Sequence, residues 1–322
     1  MGVSVRRIAD TLLQMAAERD PFAAGCAAGG RSVPRRPRGT VGCAVMKRRE
    51  FIGLPLAIRV AAGVGAQVVK NGRLKQSVAR WTYRDIPMRE FCRAVAEMGL
   101  TAMDLLEEPE WPIAREFGLT CSMAYAGGGT IRDGLNVVAN HEAIVRSFER
   151  TIPRAAASGV ANVITFFGNR RGMSDEAAIA NCVAGLNRVK TVAEDHGVTI
   201  CVELLNSRVN HPDYQGDRTA FGLAVVKAVA SPRVKLLYDI YHMQIMEGDL
   251  IATIKAQHDS IGHYHTGGVP GRHELDDRQE VNWPAVCRAI VETGFRGYVA
   301  HEFVPTRDPL TSLREAVALC DV

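Results

Sequence analysis

Eight short apolar runs, each followed by a stretch of helical period, recur along residues 77–322, and few folds accommodate that alternation. The candidate strands are residues 78–81, 102–106, 120–124, 162–167, 199–205, 234–239, 261–266 and 297–303. Helical patterns fall near 87–98, 110–117, 140–158, 174–196, 218–230, 246–259, 283–294 and 309–321. Several close on a glycine ahead of the next strand, as at Gly159 and Gly294, where a left-handed cap carries no Cβ penalty. Apolar runs separated by amphipathic helices imply parallel strands covered by helices. Eight such units in about 250 residues is the size of a (β/α)₈ barrel. A doubly wound sheet would carry a glycine-rich phosphate loop after its first strand. Here Gly127-Gly-Gly129 follows the third strand and lacks that spacing. The expected fold is α/β, a single (β/α)₈ domain behind an N-terminal leader.

Four of the later runs end on a metal-type ligand: Ile200-Cys-Val-Glu203, Lys235-Leu-Leu-Tyr-Asp239, Ile261-Gly-His-Tyr-His265 and Tyr298-Val-Ala-His-Glu302. In a barrel the C-terminal ends of successive strands face one mouth, where active sites sit. Glu203, Asp239, His265 and Glu302 are therefore expected to surround one divalent ion, since an acidic cluster repels itself without a cation. The oxygen-rich set suits Mg²⁺ or Mn²⁺, with Co²⁺ as a further candidate, better than structural zinc.

Composition narrows the partners. The net charge of +4 is uneven: residues 1–66 hold eleven Lys/Arg and four Asp/Glu, a net +7, which leaves −3 for residues 67–322. A mildly acidic body argues against a nucleic-acid surface, whose affinity rests on neutralising phosphates. No run of eighteen uncharged apolar residues exists, so no membrane span is expected. The eight cysteines form no C-x-x-C pair and mostly sit in apolar stretches, which reads as buried thiols.

The leader has two parts. Residues 1–45, with Pro34-Arg-Arg-Pro-Arg38, show no sustained period and read as disordered or as a mis-assigned start. Residues 46–67 open on Met46-Lys-Arg-Arg-Glu-Phe-Ile-Gly-Leu54 and resemble a twin-arginine-type signal peptide, with Arg59 as the departure. A periplasmic protein is the expectation, a cytoplasmic one the alternative.

Four segments make the barrel recognisable: Val202-Glu-Leu-Leu-Asn206, Tyr238-Asp-Ile-Tyr-His-Met-Gln244, Gly262-His-Tyr-His-Thr-Gly-Gly-Val-Pro-Gly-Arg-His-Glu274 and His301-Glu-Phe303. Over residues 77–322 they resemble the xylose isomerase-like TIM barrel superfamily, and within it most the hydroxypyruvate isomerases. The resemblance implies that Glu203, Asp239, His265 and Glu302 hold the divalent metal. It implies that His242, three residues after the metal Asp, and Arg272, in the loop after strand 7, contact substrate. His265 departs from some hydroxypyruvate isomerases, which carry Gln there, and matches the ketose 3-epimerases.

The implied activity is isomerisation of hydroxypyruvate to tartronate semialdehyde through an enediolate, with Glu203 and Glu302 as the acid–base pair. The alternative is a ketose 3-epimerase, or an isomerase of another sugar or inositol derivative. A small hydroxy-keto acid or ketose is the expected partner, and homo-oligomers are a family-based expectation. A carboxylate substrate needs a planar cation; Arg272 is one candidate, Arg170 and Arg171 after strand 4 are others. His263, two residues before His265, is expected to support the site rather than ligate. His211 and Asp213-Tyr214-Gln215, after strand 5, are candidates to close over it. Apurinic endonucleases share this barrel, but they need three metals, more His ligands and a basic groove. A non-catalytic sugar-binding barrel would bind metal without exchanging protons.

Overall fold

The computed structural model describes residues 67–322 apart from Gly128. The expectations for residues 1–45 and for the signal segment lie outside the described residues, save for Gln67. Eight parallel strands follow one another: β1 (Lys75–Val78), β2 (Ala102–Leu106), β3 (Thr120–Tyr125), β4 (Asn162–Phe166), β5 (Thr199–Glu203), β6 (Val234–Asp239), β7 (Ile261–Thr266) and β8 (Tyr298–His301). They hydrogen-bond in the order β1-β8-β7-β6-β5-β4-β3-β2. One parallel bridge, Ala79 to Asp104, joins the two end strands and nearly completes a (β/α)₈ barrel. No helix among the described residues is long and apolar enough to cross a membrane.

Ten α-helices cover the strands among the described residues: α1 (Met88–Glu97), α2 (Trp111–Glu116), α3 (His141–Ala157), α4 (Asp175–Asn187), α5 (Lys190–His196), α6 (Thr219–Val229), α7 (Ile240–Met246), α8 (Leu250–Gln257), α9 (Trp283–Glu292) and α10 (Pro309–Cys320). Gly159 and Gly294 follow α3 and α9 at φ +72° and +76°, as the cap reading requires.

Three elements differ from the sequence expectation. β1 begins three residues early, because Lys75 through Val78 pair with Tyr298 through His301, and Trp81 falls in a 3₁₀ turn at the mouth. The helix expected over 174–196 is two, α4 and α5. The one expected over 246–259 is α8, preceded by the short α7. Asp239 caps α7, its Oδ1 accepting from the His242 N–H at 3.2 Å.

The core has two layers. Most buried apolar side chains lie between strands and helices. A smaller cluster, Ala79, Leu105, Met123, Ile164, Cys201 and Leu237, fills the barrel itself, with Trp81, Tyr125 and Phe166 packed on it. Each comes from one of the first six strands or its end. On β7 the inward places go to His263 and His265, so the interior is apolar on one side and polar on the other.

Candidate active site

Three carboxylates and one imidazole meet at the strand ends. Glu203 and Asp239 are the last residues of β5 and β6, His265 is the penultimate residue of β7, and Glu302 directly follows β8. Asp239 is in register with His265 across the sheet. One ligand atom from each of the four lies within 4.8 Å of all the others. His265 Nδ1 stands 2.6 Å from Glu302 Oε2, 3.4 Å from Glu203 Oε1 and 4.0 Å from Asp239 Oδ2. All four residues are buried, none more than 4% exposed.

Burying carboxylates together is costly, and their acidities show how the protein manages it. Burial, helped by Glu302 and Asp239, pushes Glu203 up to about 7. Burial also raises Asp239. Glu302 feels the same burial, yet Arg272 and His265 outweigh it and hold the carboxyl at about 2. His265 is raised although burial opposes this, because Glu302, Asp104 and Glu203 favour its cation. The two glutamates, alike in sequence, are thus set on opposite sides of their ordinary value by their surroundings.

The set fits a divalent cation. His265 Nδ1 is buried among carboxylate oxygens and aligned with none as a hydrogen-bond donor. Its other nitrogen, Nε2, lies 2.9 Å from Asp104 Oδ2. An imidazole backed by a carboxylate, with its free nitrogen turned on three acidic oxygens, is the arrangement a metal-ligating His adopts.

His242 and Arg272 join the cluster. His242 is fully buried and accepts the Asn206 backbone N–H at Nδ1 (3.1 Å). Its Nε2 faces Asp239 Oδ2 at 3.5 Å. Burial and then Arg272 hold it well below its ordinary value, so it is neutral. Arg272 bonds Asp239 Oδ2 through Nη2 at 3.1 Å and pairs with the Glu302 carboxylate. Its Nε donates to the Glu302 carbonyl at 3.2 Å. The guanidinium carbon lies 5.6 Å from the Trp81 ring centre and 5.3 Å from that of Tyr241.

Arg170 is not brought to this cluster. Its guanidinium is paired with Asp175 (2.6 Å) and Asp217 (3.2 Å), and Arg171 pairs with Asp133. Tyr214, in the loop after β5, donates its hydroxyl to the Glu203 carbonyl and accepts the Phe167 N–H, both at 2.9 Å. His211 lies 5.3 Å from His242, ring to ring. Burial and then Arg272 lower it to about 3.

Three site residues escaped the sequence reading. Trp81 Nε1 donates to Glu302 Oε1 at 2.6 Å; counting it into strand 1 concealed that it turns into the mouth. Asn206 lies within the quoted Val202–Asn206 segment, but no role was read for it. Asp104 sits in the middle of an apolar strand, Ala-Met-Asp-Leu-Leu, and that buried acid was the available signal.

The fold and the mouth together give a (β/α)₈ barrel with a buried cluster of one imidazole and three carboxylates that could hold a metal ion. The Xylose isomerase-like TIM barrel family profile matches residues 58–321, and the chain belongs to that family. A protein of Homo sapiens named "Putative hydroxypyruvate isomerase" is 27% identical over 270 residues, 82% of this chain and 88% of that protein. A 2-oxo-tetronate isomerase of Cupriavidus necator is 36% identical over 113 residues, 35% of this chain and 43% of that protein. Their names are those of isomerases, and the chain is an enzyme of the isomerase class. A solved structure titled AP endonuclease, family 2, from Brucella melitensis superposes with TM-score 0.67 at 24% identity, covering 74% of this chain and 97% of that one. That likeness is one of fold.

Proposed function

We propose that the protein is a metal-dependent isomerase that interconverts hydroxypyruvate and tartronate semialdehyde. The observation that carries this reading is the convergence of Glu203, Asp239, His265 and Glu302 on one buried mouth, with a ligand atom of each within 4.8 Å of the others. Two glutamates at one mouth, Glu203 and Glu302, can serve a single substrate as base and acid. A divalent ion held by Glu203, Asp239, His265 and Glu302 would polarise the substrate's carbonyl and adjacent hydroxyl, making the carbon-bound proton more acidic.

The protein's own groups supply the rest. One glutamate takes a proton from C3 of hydroxypyruvate, leaving an enediolate; the O3 hydroxyl proton passes to O2, and a proton delivered to C2 completes the aldehyde. Arg272 offers a planar cation beside the two acids and suits the substrate carboxylate. Neutral His242 presents Nε2 to the same space and can hydrogen-bond a substrate oxygen. Trp81, Tyr125 and Phe166 form an apolar wall at the mouth, which limits water around the reactive intermediate.

The second reading, a ketose 3-epimerase, is favoured by His265 itself, since the sequence resemblance assigns histidine at that place to the epimerases. The same proton abstraction would then be followed by return to the opposite face. Proton NMR in D₂O, with Mg²⁺-loaded protein and a panel of hydroxypyruvate and ketoses, separates the two. Deuterium entering C3 of hydroxypyruvate with tartronate semialdehyde appearing supports the first. Exchange confined to a ketose moves the substrate to a sugar. Glu203→Gln and Glu302→Gln are each expected to slow turnover about 10²–10⁴-fold with the fold intact. Ordinary turnover in both would remove the proposed pair, and exchange with no compound would leave a binding protein.

A further inference from the structure

We propose that Asp104 is a positioning residue for the cation site: it reaches across the barrel from β2 and fixes the His265 ring with Nδ1 turned to the carboxylates. The inference rests on the reading that Glu203, Asp239, His265 and Glu302 hold a divalent ion.

The backbone is bent to put this carboxylate inside. β2 and β3 pair Met103 with Cys121, then Asp104 with Met123, then Leu106 with Ala124, so each strand carries one extra residue within three pairs. The extra residue on β2 is Leu105, whose φ of +53° lies in the left-handed region. A leucine there costs of order 1 kcal/mol, a strain that tends to occur beside functional groups. Bulges re-aim side chains, and the outcome here is specific. Met103 and Leu106 pack toward the helices and Leu105 packs inside the barrel. Asp104, beside Leu105, also enters the interior and touches β7. Without the bulge, alternation would send one of those two neighbours outward.

Inside, Asp104 has no solvent exposure, and its carboxylate faces two imidazoles and a serine hydroxyl. Oδ1 lies 3.1 Å from His263 Nε2 and accepts the Ser122 hydroxyl. Oδ2 lies 2.9 Å from His265 Nε2. His263 and His265 stand edge to face, ring centres 5.2 Å apart. With a partner on each oxygen the carboxylate cannot swing away from His265. An acceptor at Nε2 makes that nitrogen the protonated one, leaving the Nδ1 lone pair for a cation shared with the three acids. The Ser122 hydroxyl anchors the residue that orients the ligand, and His263, which the sequence places behind the site, packs against the same carboxylate oxygen.

Asp104, His263 and His265 are also close enough together to hold an ion themselves. The orientation favours positioning, because the His265 nitrogen facing Asp104 is the one facing away from Glu203 and Glu302. The test is Mn²⁺ binding to the full chain and to Asp104→Asn, followed by electron paramagnetic resonance and calorimetry. One Mn²⁺ per parent chain, bound 10–100-fold more weakly by the variant with unchanged circular dichroism, supports the proposal. Equal affinity in a folded variant overturns it. Two Mn²⁺ per parent chain, one lost in the variant, also overturns it and makes Asp104 a ligand. A parent chain that binds no Mn²⁺ sinks the cation reading beneath it, and the proposal with it. Should Asp104→Asn not fold, ¹⁵N-histidine NMR of the Mg²⁺-loaded parent decides, with His265→Asn for assignment. A proton on His265 Nε2 supports the proposal; one on Nδ1 refutes it.

Discussion

Glu274 illustrates how a single buried carboxylate can serve the fold rather than the chemistry. Its Oε1 accepts the Thr306 and Arg307 N–H groups at 2.8 and 3.2 Å and the Ser312 hydroxyl at 3.0 Å, and its Oε2 accepts the Thr306 hydroxyl. Burial alone would raise it, but these donors win and bring it down from 4.5 to about 2. A depressed carboxyl contributes stability that is complete above the unfolded value and fades as pH falls through the folded one. Glu274→Gln is therefore expected to cost about 1–3 kcal/mol at pH 7. In urea unfolding the gap between variant and parent should close between pH 4.5 and about 2; a gap constant across that range would show that charge is not what Glu274 contributes. At this scale the sequence was legible wherever a ligand ended an apolar run, as Glu203, Asp239, His265 and Glu302 do. For Asp104 only the acid within an apolar strand was legible, because its inward aim depends on a register shift that no residue type announces. Arg170 was read as a substrate group from its place after strand 4, yet Asp175 and Asp217 compete for it, and those pairings exist only once the loops fold.

Among the elements, the loop after β5 depends on one hydroxyl. Tyr214 is fully buried and links the Glu203 carbonyl, the Phe167 N–H and the loop between them. Tyr214→Phe leaves both backbone groups without this partner and is expected to cost about 1–3 kcal/mol by denaturant unfolding. Hydrogen exchange should rise at Phe167; protection unchanged there would mean that water replaces the hydroxyl at no cost. Long periodic elements such as α3 were readable within a residue at each end. α7 was not, because seven residues show too little period to be distinguished from a loop. What starts that helix is the Asp239 cap, so one carboxylate serves the helix through Oδ1 and the cluster through Oδ2.

For the whole molecule, a cation that binds only the folded chain adds to its stability. At 100 times its dissociation constant the gain is about 2.7 kcal/mol, or roughly 5–10 °C in Tm at about 2–4 °C per kcal/mol for a domain of this size. EDTA-treated protein titrated with Mn²⁺ in a thermal shift assay should show this rise. The Asp239→Asn variant should show less; an equal rise in that variant would place the ion elsewhere. The barrel class was legible at this scale because eight units can be counted, but the join between the first and last-placed strands was not. That join is the single bridge from Ala79 to Asp104, and its consequence is one of timing. The residue that fastens the ring is also the residue behind His265. A sheet whose edge strands, β1 and β2, have not met has not yet assembled the shell around its ligand. Tight capture of the ion therefore reports that the circle is complete, and an open sheet is disqualified from the chemistry by its own geometry.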